Sequence, residues 1–278
     1  MTELPVYTAT RYVQPLREGG TLPAVVDTHG GGLFVAKFRG AGQGAKALVA
    51  ELLVGMLARA ARLPVPELAM IEVLPEFGRG EPDPEIQDLL KASVGLNVGL
   101  RYLDGAFNFQ PSVAGDLVDP ELAARIVWLD AFTTNPDRTA RNPNLLIWER
   151  RPWLIDHGAA LYAQHNWRSV DEARTRTAFP LIRDHVLLAG SGDLQAADAE
   201  MSAALLPEVM EEIVAALPDA LLEDPAIVQD FATPAEARER YLRYLTERIR
   251  APRAFVDEAA NAREARRREP PPRLSSRR

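Results

Sequence analysis

Two aspartates and an asparagine in the second half of the chain have types and spacing that suit phosphate chemistry. Asp137 lies in the Pro-bounded loop TTNPDRTARNPN, Asn142 follows five residues later, and Asp156 ends the apolar run WLID just before His157 and Gly158. LLIW and WLID read as a hairpin across ERRP. Centred between Arg150 and Arg151, it pairs Leu145 with Asp156 and places Asn142 just off the strand end where Asp156 emerges. An amide oxygen and a carboxylate meeting there are suitable ligands for Mg²⁺, which keeps several waters and binds phosphates as well. Asp137, in the loop before them, can accept a proton from an incoming hydroxyl. Taken singly, these are also ordinary turn and cap residues.

A second group lies far upstream. Only three of the 32 basic residues are lysines, Lys37, Lys46 and Lys91. A lysine in an unusual setting therefore runs against the habit of this chain, and an ammonium does not replace a guanidinium. In LFVAKF, alternation puts Leu33, Val35 and Lys37 on one face and Phe34, Ala36 and Phe38 on the other. An ammonium among apolar neighbours needs an anion within reach. Glu51, in a helix, has Ala47, Val54 and Gly55 as its near-face neighbours, which lets a carboxylate approach a sheet. A strand lysine paired with a helix glutamate holds ATP phosphates in protein kinases; a snorkelling lysine and a solvated glutamate are the plainer alternative. The turn Gly30-Gly31-Gly32 lets backbone amides approach a phosphate, and equally suits a tight hairpin. HGGG also matches an oxyanion-hole motif of lipases, but the chain has no G-x-S-x-G elbow.

The elements that must position these residues follow from periodicity. Residues 5–38 read as three strands, Ala45 to Arg62 as a helix, and LAMIEVLP and VGLRYLDG as further strands around a polar, Pro-broken stretch at 76–92. Asp119-Pro120-Glu121 opens a helix running to Thr133. Further helices are expected at 170–188, 193–216 and 234–261. The fold class is α+β and two-lobed: a β-rich N-lobe with one helix over 1–104, a larger helical C-lobe over 105–262, and an Arg/Pro-rich tail over 263–278.

Composition narrows the function. The 278 residues are 47% hydrophobic and 26% charged, without cysteine, so a disulfide framework, a thiolate zinc site and a cysteine nucleophile are excluded. His157 and His165 lack metal-ligand spacing, and the four tryptophans read as packing. The net charge of −7 divides into +5 on residues 263–278 and −12 on the rest, which argues against a nucleic-acid-binding body. The tail reads as solvated and disordered, with an anionic partner as the alternative. With no signal peptide at its start and no membrane-length apolar run, the chain is expected to be cytoplasmic.

The ordered set Lys37, Glu51, Asp137, Asn142 and Asp156-x-Gly resembles the protein-kinase-like superfamily, in particular the HipA-like kinases of bacteria, over residues 15–190. LFVAKFRGAGQGAKALVAELL, DAFTTNPDRTARNPNLLIW and LIDHGAAL carry the likeness, and there is a secondary likeness to phosphoinositide lipid kinases. The resemblance implies ATP and Mg²⁺ as cofactors and a Ser or Thr hydroxyl of a protein as acceptor. It implies that Lys37, braced by Glu51, holds the α/β-phosphates, that Asp137 is the catalytic base and that Asn142 and Asp156 bind Mg²⁺. It further implies that Gly30, Gly31 and Gly32 cover the phosphates and that Gln43 and Gly44 line the nucleotide site. Thr139 stands where related loops often carry His, and the metal motif is Asp-His-Gly rather than Asp-Phe-Gly. A small-molecule or lipid hydroxyl as acceptor, and a pseudokinase-like binding module without turnover, are the alternatives.

Overall fold

The computed structural model describes residues 4–16, 22–42 and 44–268. Strands β1 (Val6–Pro15), β2 (Ala24–Thr28), β3 (Gly32–Lys37), β4 (Leu68–Val73) and β5 (Gly95–Arg101) run in the order β1-β2-β3-β5-β4. Parallel pairing of Val6–Thr8 with Met70–Glu72 closes this sheet on itself. The alternation in β3 sends Phe34 and Ala36 inward, where they join Val26, Ala69 and Ile71 in a core of their own. Gly99 lets that core close: a Cβ there would lie 2.6 Å from Ile71. Leu33, Val35 and Lys37 consequently face out of the barrel.

Helix α1 (Gly44–Ala60) lies outside the barrel and is buried on nearly every side. Its apolar residues lie on all sides, as in a core helix rather than an amphipathic one, and Lys46 and Glu51 are buried among them. It packs on β4 and β5 and also on helices of the C-terminal region, whose core it shares. At Gly55 a Cβ would come within 2.9 Å of Leu68, so this glycine brings α1 down onto β4. Helix α2 (Pro84–Ala92) occupies the stretch expected to be irregular, with Pro84 in its first turn and Asp83 accepting from the Glu85 amide.

The second sheet contains β6 (Phe107–Asn108), β7 (Leu145–Trp148) and β8 (Arg151–Leu154), in that order. Its hairpin corrects the expected register: Leu145 pairs with Leu154, not Asp156, and Trp148 with Arg151. The turn is only Glu149-Arg150, both with positive φ (49° and 62°), the twist that a two-residue hairpin turn demands. Pro152 is tolerated inside β8 because β8 is an edge strand.

The C-terminal region is helical: α3 (Pro111–Ala114), α4 (Pro120–Phe132), α5 (Glu172–Thr175), α6 (Leu194–Ala204), α7 (Pro207–Ala215), α8 (Asp219–Leu222), α9 (Pro225–Val228), α10 (Pro234–Arg248) and α11 (Ala254–Arg268). The helix expected at 170–188 is only one turn of α-helix and a 3-10 turn at Pro180–Asp184. The two longer helices expected downstream are each divided, at Pro207 and near Pro252, where a ring nitrogen cannot donate to the preceding turn. Helix α11 continues to Arg268, six residues into the segment read as tail. Arg263 there donates to the Gly192 carbonyl, and Arg267 to the carbonyls of Ala189 and Ser191. Among the described residues no helix is long and apolar enough to cross a membrane.

Candidate active site

Lys37 ends β3 on the face turned away from the barrel core. Its Nζ donates to Glu51 Oε2 at 2.7 Å and to Asp156 Oδ1 at 2.5 Å. Glu51 reaches it because α1 sits tightly on the sheet, and the same Oε2 accepts from the His157 amide at 2.7 Å. Burial pulls against the charge on Lys37, but Glu51 and Asp156 outweigh it and hold the ammonium above the ordinary lysine range. Burial likewise opposes ionisation of Asp156, and Lys37 overcomes it, keeping this carboxyl below its usual value. Complete burial raises Glu51, with Lys37 pulling the other way. Two donors converge on Oε2, while Oε1 is buried without a hydrogen-bond partner. Asp156 adopts a φ of 55°, left-handed backbone that aspartate tolerates. Its side chain remains 41% exposed while Glu51 is fully buried, so this trio opens to solvent at Asp156.

Asp137 is held differently. The side-chain amides of Asn142 and Asn144 both donate to its Oδ2, at 2.8 and 3.1 Å. The Thr139 amide closes the loop by donating to the carbonyls of Asp137 and Asn142. Thr139 thus serves the turn through its backbone and through its Oγ1, which accepts from the Asn142 amide at 3.3 Å. Asn144, which the sequence reading passed over, is buried with φ 48°. Only its position in the turn string Asn-Pro-Asn could have drawn attention to it.

Gly44 is beside the lysine: a small cavity is bounded by Lys37, Ala41, Gly44, Ala47, Asp156 and Gly158. Gln43 lies outside the described residues. The Gly30–Gly32 turn does not join the site. β2 and β3 pair Ala24 with Ala36 and Thr28 with Gly32, so this turn caps the end of β3 opposite Lys37. Five residues of strand put it about 17 Å away. Its glycines serve the hairpin and close packing, since a Cβ on Gly31 would lie 2.7 Å from the Tyr7 ring. The connection ending beside Lys37 is instead the one from β1 to β2, where Pro15 pairs with Ala24.

Two other features were missed. Lys46, another of the rare lysines, donates to Asp230 Oδ2 at 2.8 Å and to the Gln164 carbonyl at 2.9 Å. It ties the first turns of α1 to the C-terminal region, and lysine scarcity was its signal. Val25, Val35 and Leu100 form a row across β2, β3 and β5 on the face that carries Lys37. This row was readable only once register was known. The donor set of Asp156, Asn142 and phosphate oxygens suits Mg²⁺, which takes one or two protein ligands with waters. Among the described residues no three His, Cys, Asp or Glu side chains form a metal cluster.

Comparison with known proteins identifies a fold neighbour and a family. The crystal structure of a Helicobacter pylori proinflammatory kinase, CtkA, matches with a TM-score of 0.55 at 11% identity, covering 94% of this chain and 99% of that one, which shows a shared fold. The search of curated proteins returned no match. The family model for HipA-like kinase matches residues 10–235, most of the chain, and the chain therefore belongs to the HipA-like kinase family.

Proposed function

We propose that this kinase-like phosphotransferase takes the γ-phosphoryl of ATP, with Mg²⁺, to the hydroxyl of a Ser or Thr in a protein substrate. The observation that carries the nucleotide part is the Lys37 ammonium clamped between the buried Glu51 and the half-exposed Asp156. Glu51 fixes the direction of the lysine, so that its charge meets the α/β-phosphates without reorganising. The row of Val25 and Val35 offers the base an apolar surface on the same face. Asp156 and the Oδ1 of Asn142, whose Nδ2 is committed to Asp137, would hold Mg²⁺. When bound, the ion supplies neutralisation of phosphate charge.

Asp137 receives the proton of the acceptor hydroxyl. Both amide donors converge on its Oδ2, which orients the carboxylate and leaves Oδ1 for the acceptor. Little covalent work falls to the protein, because phosphoryl transfer is accelerated mainly by positioning and charge. Family membership supports the protein acceptor; a small-molecule or lipid hydroxyl would use the same groups.

The test is a calorimetric titration of ATP with and without Mg²⁺, on wild type and D156A. Metal-dependent binding that disappears in D156A is expected. Wild-type protein that takes up no Mg²⁺–ATP would overturn the reading, and equal binding by D156A would remove Asp156 from the site.

A further inference from the structure

The residue after Asp137 is a fully buried arginine. Arg138 Nε donates to Asp130 Oδ2 at 2.5 Å, and Nη2 lies 3.5 Å from Asp130 Oδ1 and 3.3 Å from His157 Nδ1. Nη1 donates to the Asn144 carbonyl and, at 3.3 Å, to that of Ile155. These four partners stand on three different pieces of chain: the last turns of α4, the entry to β7, and the stretch from the exit of β8 into Asp-His-Gly. Ile155 and His157 flank Asp156 on both sides, and Asn144 is itself a donor to Asp137. One planar fork therefore touches the chain on both sides of Asp156 and the residue that donates to Asp137.

Asp130 anchors the fork. It accepts from Asn135 Nδ2 and lies 2.9 Å from His185 Nε2, whose Nδ1 accepts from the Leu187 amide. Burial opposes the charge of Asp130, but Arg138 and His185 overcome it and hold the carboxyl far below its usual range. A buried ion pair contributes little net stability compared with an apolar replacement. Its use here is geometric, because a guanidinium presents several donors in a fixed plane and a lysine does not.

We infer that Arg138, anchored by Asp130, is a positioning residue that sets the spacing between the hydroxyl-binding carboxylate Asp137 and the metal-binding carboxylate Asp156. This inference rests on the kinase reading above for what is being positioned, but the tie itself is a property of the fold. It predicts a specific pattern in R138K and D130N. Both variants keep the Lys37–Glu51 pair and the apolar row, so ATP affinity stays within about threefold of wild type and calorimetric stoichiometry stays at one. Turnover falls about 100-fold, the cost of small misplacement at a transfer site. Unfolded protein would lower the stoichiometry along with turnover, so the two measured together separate positioning from mere stability.

Amide hydrogen exchange supplies a readout that needs no activity. In R138K, exchange in 139–144 and 155–158 accelerates together, while α6 and α7 keep wild-type protection. Should R138K fail to fold, D130N, which keeps the guanidinium and the volume of its partner, carries both measurements. Turnover within threefold of wild type in a variant that binds one nucleotide, or unchanged exchange in the two segments, overturns the inference and leaves the kinase reading standing. Wild-type protein that binds no Mg²⁺–ATP overturns the kinase reading and the positioning role with it, even where exchange shows the tie.

Discussion

Lys37 and Asp156 meet across 119 residues of chain beside the fully buried Glu51, whereas Asp137 and Asn144 meet across seven residues within one turn. The first half of the site exists only when barrel, α1 and the second sheet are all assembled. In the second half, the side-chain hydrogen bonds to Asp137 come from neighbours in sequence. Damage to the first should appear in both stability and binding. Damage to the second should appear in chemistry alone.

Replacing Lys37 with Met is the most severe way to break that contrast. It leaves Glu51 buried beside Asp156 without a cation, and stranding a buried charge costs about 3–5 kcal/mol. Denaturant titration should show the loss, together with loss of Mg²⁺–ATP binding. The double variant K37M/E51Q should recover part of the stability but none of the binding. If K37M is as stable as wild type, the burial of this pair is not what distinguishes the two halves.

D137A tests the opposite half. Removing a positioned base lowers transfer about 10³-fold, while ATP binding and the denaturation midpoint remain near wild type. Undiminished transfer would mean that another group accepts the hydroxyl proton, and a large loss of stability would mean that the turn is not local after all.

A smaller effect separates two ties that hold the Lys37 region against the C-terminal helices. Lys46–Asp230 is the more buried pair, with side chains 9% and 15% exposed, and Arg39–Asp224 the less buried, at 22% and 17%. D230A should cost about 2 kcal/mol and raise the KM for ATP, because α1 carries Glu51 as well as Lys46. R39A, which breaks the second pair and leaves the Asp224 cap on the Ala226 amide in place, should cost about 1 kcal/mol or less. Equal effects in denaturation and KM would mean that burial does not rank these contacts.

The same contrast explains what could be read before the fold was known. Asp137, Asn142 and Asp156 were legible because turn residues and strand ends leave local marks. Lys37 and Glu51 were legible because an ammonium in an apolar strand demands a partner and small neighbours let a helix glutamate supply it. The Gly30–Gly32 turn misled because a glycine string states that the backbone bends or packs closely, not which end of a strand it caps; the pairing of Thr28 with Gly32 decides that. The hairpin register shifted because Pro152 was assigned to a loop, when an edge strand could hold it. Arg138 was invisible as a tie because its partners belong to three separate segments, and nothing in a single sequence marks which of many arginines is buried.

His157 offers the mildest test, through pH. It stands where related motifs carry Phe, is fully buried, and its Nε2 has no hydrogen-bond partner. Burial first, and then the neighbouring Arg138, push its pKa down to about 3 from the ordinary 6.5. At neutral pH both folded and unfolded forms carry a neutral imidazole. As pH falls below 6.5 the unfolded chain takes up the proton and the folded protein does not, so stability declines until the folded pKa is approached. One such group gives a slope of about 1.4 kcal/mol per pH unit. His165 and His185, also lowered by burial, add to the decline, whereas the lowered carboxyls Asp130 and Asp156 act below pH 4. H157F should therefore reduce the slope between pH 6 and 4.5 without abolishing it, as measured by denaturant titration at several pH values. An unchanged slope would show that His157 takes up its proton in the folded protein, and that the interior around Arg138 is wetter than the contrast between the two halves requires.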